Sequence, residues 1–312
     1  SILINGRKLE TPIQKWRQFS VMNFATKSDE LCILKKTTIA KAYEIIADNL
    51  HFQHRHLVIT DTGAKGGRLL GIVSLLDLQK EITRGNLKEP VSKVMVAYHP
   101  NNPDPRACVW IHEKATLEDA LKQFLRLVTH DTATMSYFYM SAIPIIDDNF
   151  NIVGIIVFDA ILKAMVNGLI PIPNITISEM NYLRDKNLVT AKPDDDPTTI
   201  SVKMRFSGFG QRDVPIVDDS GKKLIGLVPD HIFATHYHER DKFHDIAIAV
   251  ENLKLQTSNS KLKDLIRAYL NIDSDDTQLY SLPVVTDKNN PELLGLIGYR
   301  DIFQALLDLV TD

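Results

Sequence analysis

The sequence predicts an α/β fold, of the mixed α+β kind, made of four copies of one strand-helix-strand-strand-helix unit. Three observations carry that reading. A short phrase recurs four times, as Leu57-Val58-Ile59-Thr60-Asp61, Ile143-Pro144-Ile145-Ile146-Asp147, Val214-Pro215-Ile216-Val217-Asp218 and Leu282-Pro283-Val284-Val285-Thr286-Asp287. Each copy runs through a polar turn into a second apolar run with one central glycine, at Gly71, Gly154, Gly226 and Gly295. An amphipathic stretch opened by a hydroxyl residue precedes every copy, and another opened by aspartate follows it.

The paired β-branched runs joined by Asp, Asn, Gly or Pro are the local chemistry of a β-hairpin, and the glycine lets another backbone or a ligand come close. The helices before the hairpins are read as Thr38 to Leu50, Thr116 to Val128, Thr198 to Phe206 and Ser260 to Leu270, with the hydroxyl as N-cap. Those after the hairpins are read as Asp77 to Thr83, Asp159 to Val166, Asp230 to Tyr237 and Asp301 to Leu309, the aspartate suiting both the cap and the positive end of the helix dipole. Ala97 to Arg106, with three prolines, reads as an inserted loop, and Gly168 to Asn174 as the joint between two halves. A unit of about 60 residues leaves too much sheet exposed to stand alone, so repeats one and two, and three and four, are expected to pair.

Composition narrows the function. A chain of 312 residues with 44% hydrophobic and 24% charged residues folds throughout, and a net charge of −3 provides no global field for nucleic acid or an anionic membrane. Cys32 and Cys108 are too few for a disulfide framework or a thiolate zinc site and sit in apolar runs, which suits a reducing compartment. No apolar run reaches the length of a membrane span, and Ser1 to Asn5 lacks signal-peptide architecture, so a cytoplasmic location is expected.

The four phrases resemble the signature of cystathionine-β-synthase (CBS) domains: an h-P-h-h-D strand, a G-h-h-[ST]-x-x-D strand-to-helix turn and a short V-x-D-h-M lead-in. The lead-in is read at Val91-Ser92-Lys93-Val94-Met95, Ile177-Ser178-Glu179-Met180 and Phe243-His244-Asp245-Ile246, with no clear copy in the first repeat. The resemblance spans residues 29 to 310 and divides the chain into an N-terminal segment 1–28 and repeats 29–86, 87–168, 174–238 and 239–312. It implies two CBS-pair (Bateman) modules. Four repeats in one chain also resemble the regulatory gamma subunits of AMP-activated protein kinase, in which such modules bind AMP, ADP or ATP. The resemblance therefore implies a non-catalytic, energy-sensing protein with an adenine nucleotide as ligand and no required cofactor. Its partner would be a kinase-like or other effector protein, or a second copy of the chain. A sensor of S-adenosylmethionine or a cyclic dinucleotide, and an interaction scaffold with vestigial clefts, are the alternatives.

In adenylate-binding members of this family, the hydroxyl and aspartate of the strand-to-helix turn hold the ribose hydroxyls. Only the first repeat keeps both, as Ser74 and Asp77; the fourth has Gly298 and Asp301, the second Val157 and Ala160, and the third Pro229 and Ile232. Asp77 and Asp301 hold the register of their glycines, whereas Asp159 and Asp230 are shifted by one and two, as helix caps alone would allow. The resemblance places adenine near Thr37, Thr38 and Ala42 in repeat one and near Ser258 in repeat four, although a threonine before a helix is commonly its cap. Phosphates would be met by His54, Arg55 and His56, with Arg300 a further candidate, since a guanidinium binds phosphate bidentately. Gln211-Arg212, Ser141-Ala142 and Tyr280-Ser281 stand at the place equivalent to the His-Arg cluster in the other repeats.

A metal-dependent enzyme is the rival class, suggested by His231, His236, His238, His244 and the histidines at 51, 54 and 56. His236 and His238 diverge on a helix by roughly 200°, and no carboxylate or cysteine completes a ligand set. No phosphate loop, nucleophile elbow or complete dinucleotide motif occurs; Ser207-Gly208-Phe209-Gly210 reads as a turn ending a helix. The segment Arg7 to Phe24, with Trp16, Phe19 and Phe24, is expected to pack over the first repeat pair.

Overall fold

All four hairpins form as the residue pattern requires, and each becomes the centre of a small sheet. The computed structural model describes residues 3–4, 7–8, 15–26, 31–48, 56–98, 110–131, 136–207, 210–230, 232–233, 242–270, 279 and 281–308. In repeat one, His56–Thr60 pairs antiparallel with Leu69–Ser74 and parallel with Cys32–Leu34. In repeat two the same roles fall to Ala142–Ile146, Ile152–Val157 and Ile111–His112, and in repeat four to Ser281–Val285, Leu293–Gly298 and Gln256–Thr257. Repeat three has the hairpin Val214–Val217 and Leu224–Val228, but its first strand shrinks to a single parallel bridge, Ala191 to Ile216. The Gln211 side chain supplies the missing pairing by accepting from Val189 N (2.9 Å) and donating to Val189 O (2.7 Å).

A further strand completes each sheet, the fourth in repeats one, two and four and the third in repeat three, and it comes from the neighbouring repeat. Val96–Ala97, which leads into repeat two, pairs with repeat one; Ala25–Thr26, which leads into repeat one, pairs with repeat two. The second half repeats the exchange, Ile248–Ala249 lying on repeat three and Leu183–Arg184 on repeat four. The pairing of one with two and three with four thus takes the form of two modules closed by reciprocal strand exchange. The exchanged strands also explain the glycines. A Cβ at Gly71 would lie 2.5 Å from Val96 O, one at Gly226 2.8 Å from Ile248 O and one at Gly154 2.9 Å from Ala25 Cβ, while one at Gly295 would collide with Leu183 O. It is the exchanged strand, through its backbone at Gly71, Gly226 and Gly295 and through the Ala25 methyl at Gly154, that needs the space.

The lead-in missing from repeat one is present: Val21–Asn23 forms the same short 3-10 turn as Val91–Lys93 and Ile177–Glu179, and Val21, Val91, Ile177 and Phe243 are all fully buried. A motif needs only that buried apolar plug, so spelling concealed it. The segment from Trp16 to Thr26 therefore belongs to the repeat system and lies on repeat two, where Leu117 N donates to Phe19 O (2.8 Å).

Eight helices occur among the described residues: α1 Ile39–Asp48, α2 Leu75–Thr83, α3 Leu117–Phe124, α4 Phe158–Val166, α5 Pro197–Ser207, α6 Phe243–Ile246, α7 Leu262–Leu270 and α8 Tyr299–Asp308. Three of the predicted aspartate caps are corrected. α2 and α8 start two residues earlier and α4 one, so Asp77 and Asp301 stand at the third helical position and Asp159 at the second, where Asp159 pairs with Lys163 at 2.7 Å instead of capping. The predicted helix to Val128 also stops at Phe124, because Leu127–Asp131 leaves it to form a hairpin with Ser136–Tyr139.

Within each module the hairpin ends join directly. Ile152 N donates to Gly67 O and Leu69 N to Phe150 O in the first, and Leu293 N to Lys222 O and Leu224 N to Pro291 O in the second, at 2.8 to 3.0 Å. The modules meet through the helices of repeats two and four. Phe158 and Tyr299, equivalent residues of those repeats, stack at 4.3 Å and 15°, with Phe124 and Tyr269 edge-on around them. The Tyr299 hydroxyl donates to Met140 O at 2.8 Å. One continuous core spans repeats one, two and four, and a smaller one serves repeat three. Arg17 ties the N-terminal segment to the end of α8 by donating to Leu307 O at 2.6 Å, a basic group on helix carbonyls.

Candidate functional site

The second module builds a cleft where its two repeats meet. Repeat four contributes Ser281, Gly298, Tyr299, Arg300 and Asp301; repeat three contributes Gln211 and Arg212, with Leu183 of the exchanged strand at the side. Asp301 is placed by local chemistry. It sits at the third position of α8 and its Oδ2 accepts the N–H of Gly298 at 2.8 Å, half of a capping box, with glycine where a hydroxyl would complete it. Nothing among the described residues donates to its other oxygen. Partial burial pushes the carboxyl up to about 6, against the opposing pull of Arg300 and of the Gly298 N–H. A carboxylate in this position can accept two vicinal hydroxyls.

Cation donors come from both sides of the cleft. Arg300 follows the helix start, and Arg212 reaches in from repeat three with its Nη1 at 3.7 Å from Asp230, both side chains about a tenth exposed. Beneath them the fully buried Asp213 locks the two repeats together. Its carboxylate accepts Ser281 N (2.7 Å), Ser281 Oγ (2.9 Å) and, from its own repeat, Asp230 N (3.0 Å). The enclosed space is about 20 Å³, enough for one water. A larger ligand would have to swing the arginine side chains aside.

The equivalent place in module one is arranged differently. Ser74 and Asp77 are buried and form a complete capping box: Asp77 Oδ2 accepts Ser74 N (3.1 Å) and Ser74 Oγ (2.6 Å), and Ser74 Oγ accepts Asp77 N (3.2 Å). His56 Nδ1 lies 2.7 Å from Ser141 Oγ of repeat two, joining these repeats where Asp213 and Ser281 join the others. Thr38 caps α1, accepting from Lys41 N at 3.3 Å; Thr37 is half-buried, and Ala42 is fully buried within the core. Ser258 is half-buried, and its carbonyl is strapped by Ser178 N at 2.8 Å. His54 and Arg55 lie outside the described residues.

In the sequence the basic cluster at His54, Arg55 and His56 is read with the aspartate of its own repeat, while repeats two and three are read as contributing walls and phosphate contacts. In module two Arg300 of the same repeat is joined beside Asp301 by Arg212 from the other repeat. The signal was present, since Arg212 stands two residues before Val214 as Arg55 does before the equivalent Leu57, but strand exchange decides which carboxylate it faces. By that rule the residue facing Asp77 is Ser141. Of the histidines read as possible metal ligands, His244 bonds Asp245 at 3.0 Å, while those at 51, 54, 231, 236 and 238 lie outside the described residues. Among the described residues no three His, Cys, Asp or Glu cluster as a metal site, and no helix is long and apolar enough to cross a membrane.

Four stretches, residues 21–84, 105–167, 179–237 and 257–308, match the family profile described as CBS domain. The chain belongs to the CBS-domain family. Each match covers one repeat, so the chain carries four CBS repeats, consistent with two CBS-pair modules. Of solved structures, the protein MJ1225 of Methanocaldococcus jannaschii, described as a candidate archaeal homologue of g-AMPK, superposes with a TM-score of 0.67 at 18% identity over 92% of this chain and 99% of its own. An uncharacterised conserved protein of Pyrococcus horikoshii superposes with a TM-score of 0.57 at 16% identity over 92% and 100%. These likenesses show that the whole four-repeat CBS fold recurs. No curated protein matches the sequence.

Proposed function

We propose that this CBS protein is a non-catalytic regulatory sensor of an adenine nucleotide, AMP, ADP or ATP, with the cleft of module two as a binding site. The observation that carries the reading is the meeting of Asp301, Arg300 and Arg212 at one boundary between repeats. A carboxylate with one oxygen turned to the ribose hydroxyls and two guanidiniums for phosphate match the two ends of a nucleotide. The likeness over its full length to a protein described as an archaeal homologue of g-AMPK supports the same class. Module one, with Ser74 and Asp77, is a second site in this proposal. There the ribose hydroxyls replace the Ser74 hydroxyl as donors to Asp77, and Thr37, Thr38 and Ala42 flank the base.

Ligand entry into a cleft of about 20 Å³ requires Arg212 to leave Asp230 and reach across the boundary to a ligand held by Asp301, which couples occupancy to how repeats three and four sit on each other. Occupancy becomes a shift between two arrangements, limited by the ligand's differential affinity for them, and a protein partner reads the arrangement. Calorimetry with AMP, ADP, ATP, S-adenosylmethionine and a cyclic dinucleotide tests the proposal. AMP, ADP or ATP should bind the wild type, and Arg212→Ala should weaken binding about tenfold or more. Absence of heat and of any melting shift with every ligand would refute sensing and leave an interaction scaffold.

A further inference from the structure

Module two leaves open a groove at the place where module one carries three aromatic side chains. The correspondence follows from register. Val96–Ala97 and Ile248–Ala249 pair with equivalent residues of their sheets, which makes Tyr98 the counterpart of Val250. Ile111–His112 and Gln256–Thr257 are equivalent first strands, which makes Trp110 the counterpart of Leu255. Phe150 and Pro291 both give their carbonyls to the neighbouring hairpin and correspond likewise. In module one Tyr98, Trp110 and Phe150 pack together with centroids 5.7 to 6.3 Å apart. Their smaller counterparts in module two leave a groove of about 660 Å³, floored by Val250, Leu253, Leu255, Ala268 and Pro291.

The rim is charged. Lys223, Lys254 and Lys288 stand around the groove with Glu251 the one acid, and Lys223 and Lys288 make no ion pair among the described residues. We propose that this groove docks an acidic peptide segment of a partner protein through an aromatic anchor. Module one shows the size and chemistry of what fills such a space, and the lysines set the charge of the flanking residues. A Trp or Phe anchor brings a large buried area at small entropic cost, which is what concentrates binding energy in docking sites. The lysines add attraction and, over an aromatic face, cation–π contact.

The test uses the full chain and a fluorescein-labelled probe peptide, Glu-Asp-Trp-Glu-Glu-Phe-Asp-Glu, followed by anisotropy. Binding is expected in the micromolar range and should weaken about tenfold when Trp and Phe of the probe become Ala. Leu255→Trp, which refills the groove as module one does, should also cost about tenfold or more. In case that variant misfolds, Lys254→Glu with Lys288→Glu provides the same loss from the surface. Both proteins should keep the wild-type response to AMP in calorimetry, so this docking site and the nucleotide cleft stand or fall separately. Undetectable binding to wild type at about 1 mM probe would overturn the proposal, as would equal binding to folded Leu255→Trp. Binding of the Ala-substituted probe as tight as the original, with heparin displacing both at matched ionic strength, would reduce the groove to a polyanion patch and overturn it as well.

Discussion

Asp301→Asn isolates a carboxyl that the fold raises far above its ordinary range. Its value of about 6 against 3.8 when unperturbed means the folded state holds the proton more tightly than the unfolded state. The sign follows: the stability this provides is complete below pH 3.8 and lost as pH rises through 6, so at neutral pH the ionised carboxylate costs the fold about 3 kcal/mol. Asparagine keeps the shape and removes the charge. Between about pH 4 and about pH 7.5 the variant should therefore gain on the wild type by about 2 to 3 kcal/mol in chemical denaturation. Carboxylates held low by their partners, such as Asp148 beside Lys114 and His112, act in both proteins and cancel in the difference. The carboxyl resonance of Asp301, identified by its loss in the variant, should titrate near pH 6. If ribose hydroxyls bind the ionised form, affinity for adenosine, which carries no phosphate titrating near 6, should rise about tenfold between about pH 5 and about pH 7.5 in wild type and not in Asp301→Asn. A midpoint in the ordinary carboxylate range, or a stability difference flat with pH, would refute the burial argument.

Other perturbations address the joints of the fold. Gly71→Ala puts a methyl group 2.5 Å from Val96 O and should destabilise by about 1 to 3 kcal/mol, with hydrogen exchange at Val96 and Ala97 rising before global unfolding. Asp213→Ala strands the donors of Ser281 and Asp230 and should cost at least about 3 kcal/mol by thermal melting, with Asp213→Asn recovering part of it. Tyr299→Phe should lose about 1 kcal/mol through the bond to Met140 O. Tyr299→Ala should lose about 3 to 5 kcal/mol and broaden the solution scattering profile as the modules separate.

Much of this was legible because it is local. Four hairpins, four central glycines and Thr38 and Thr116 as caps depend on residues within a few positions of one another. So does the correct register of Asp77 and Asp301 with their glycines. The helix starts were misread for a related reason: aspartate suits both the cap and the third helical position, and only backbone geometry shows that Ser74 leaves the helix while Asp77 reaches back. Leu127 and Val128 are read as helix because they continue an amphipathic stretch; the pairing of Leu127–Asp131 with Ser136–Tyr139 overrides that local preference.

What the chain alone determined, then, is the unit: its hairpin, its glycine, its two helices and their repetition. The tertiary structure decided which strand lies over each glycine, and thereby which side chains share a cleft. Four similar hairpins compete for the same edges, and local pattern cannot rank their pairings. Strand exchange ranks them by backbone fit, setting Arg184 against Gly295 and bringing Arg212 of one repeat to Asp301 of the next. The same exchange leaves a groove floored by Leu255 in one module where Trp110 packs in the other, one of three such differences that acquire meaning only once the modules are superposed.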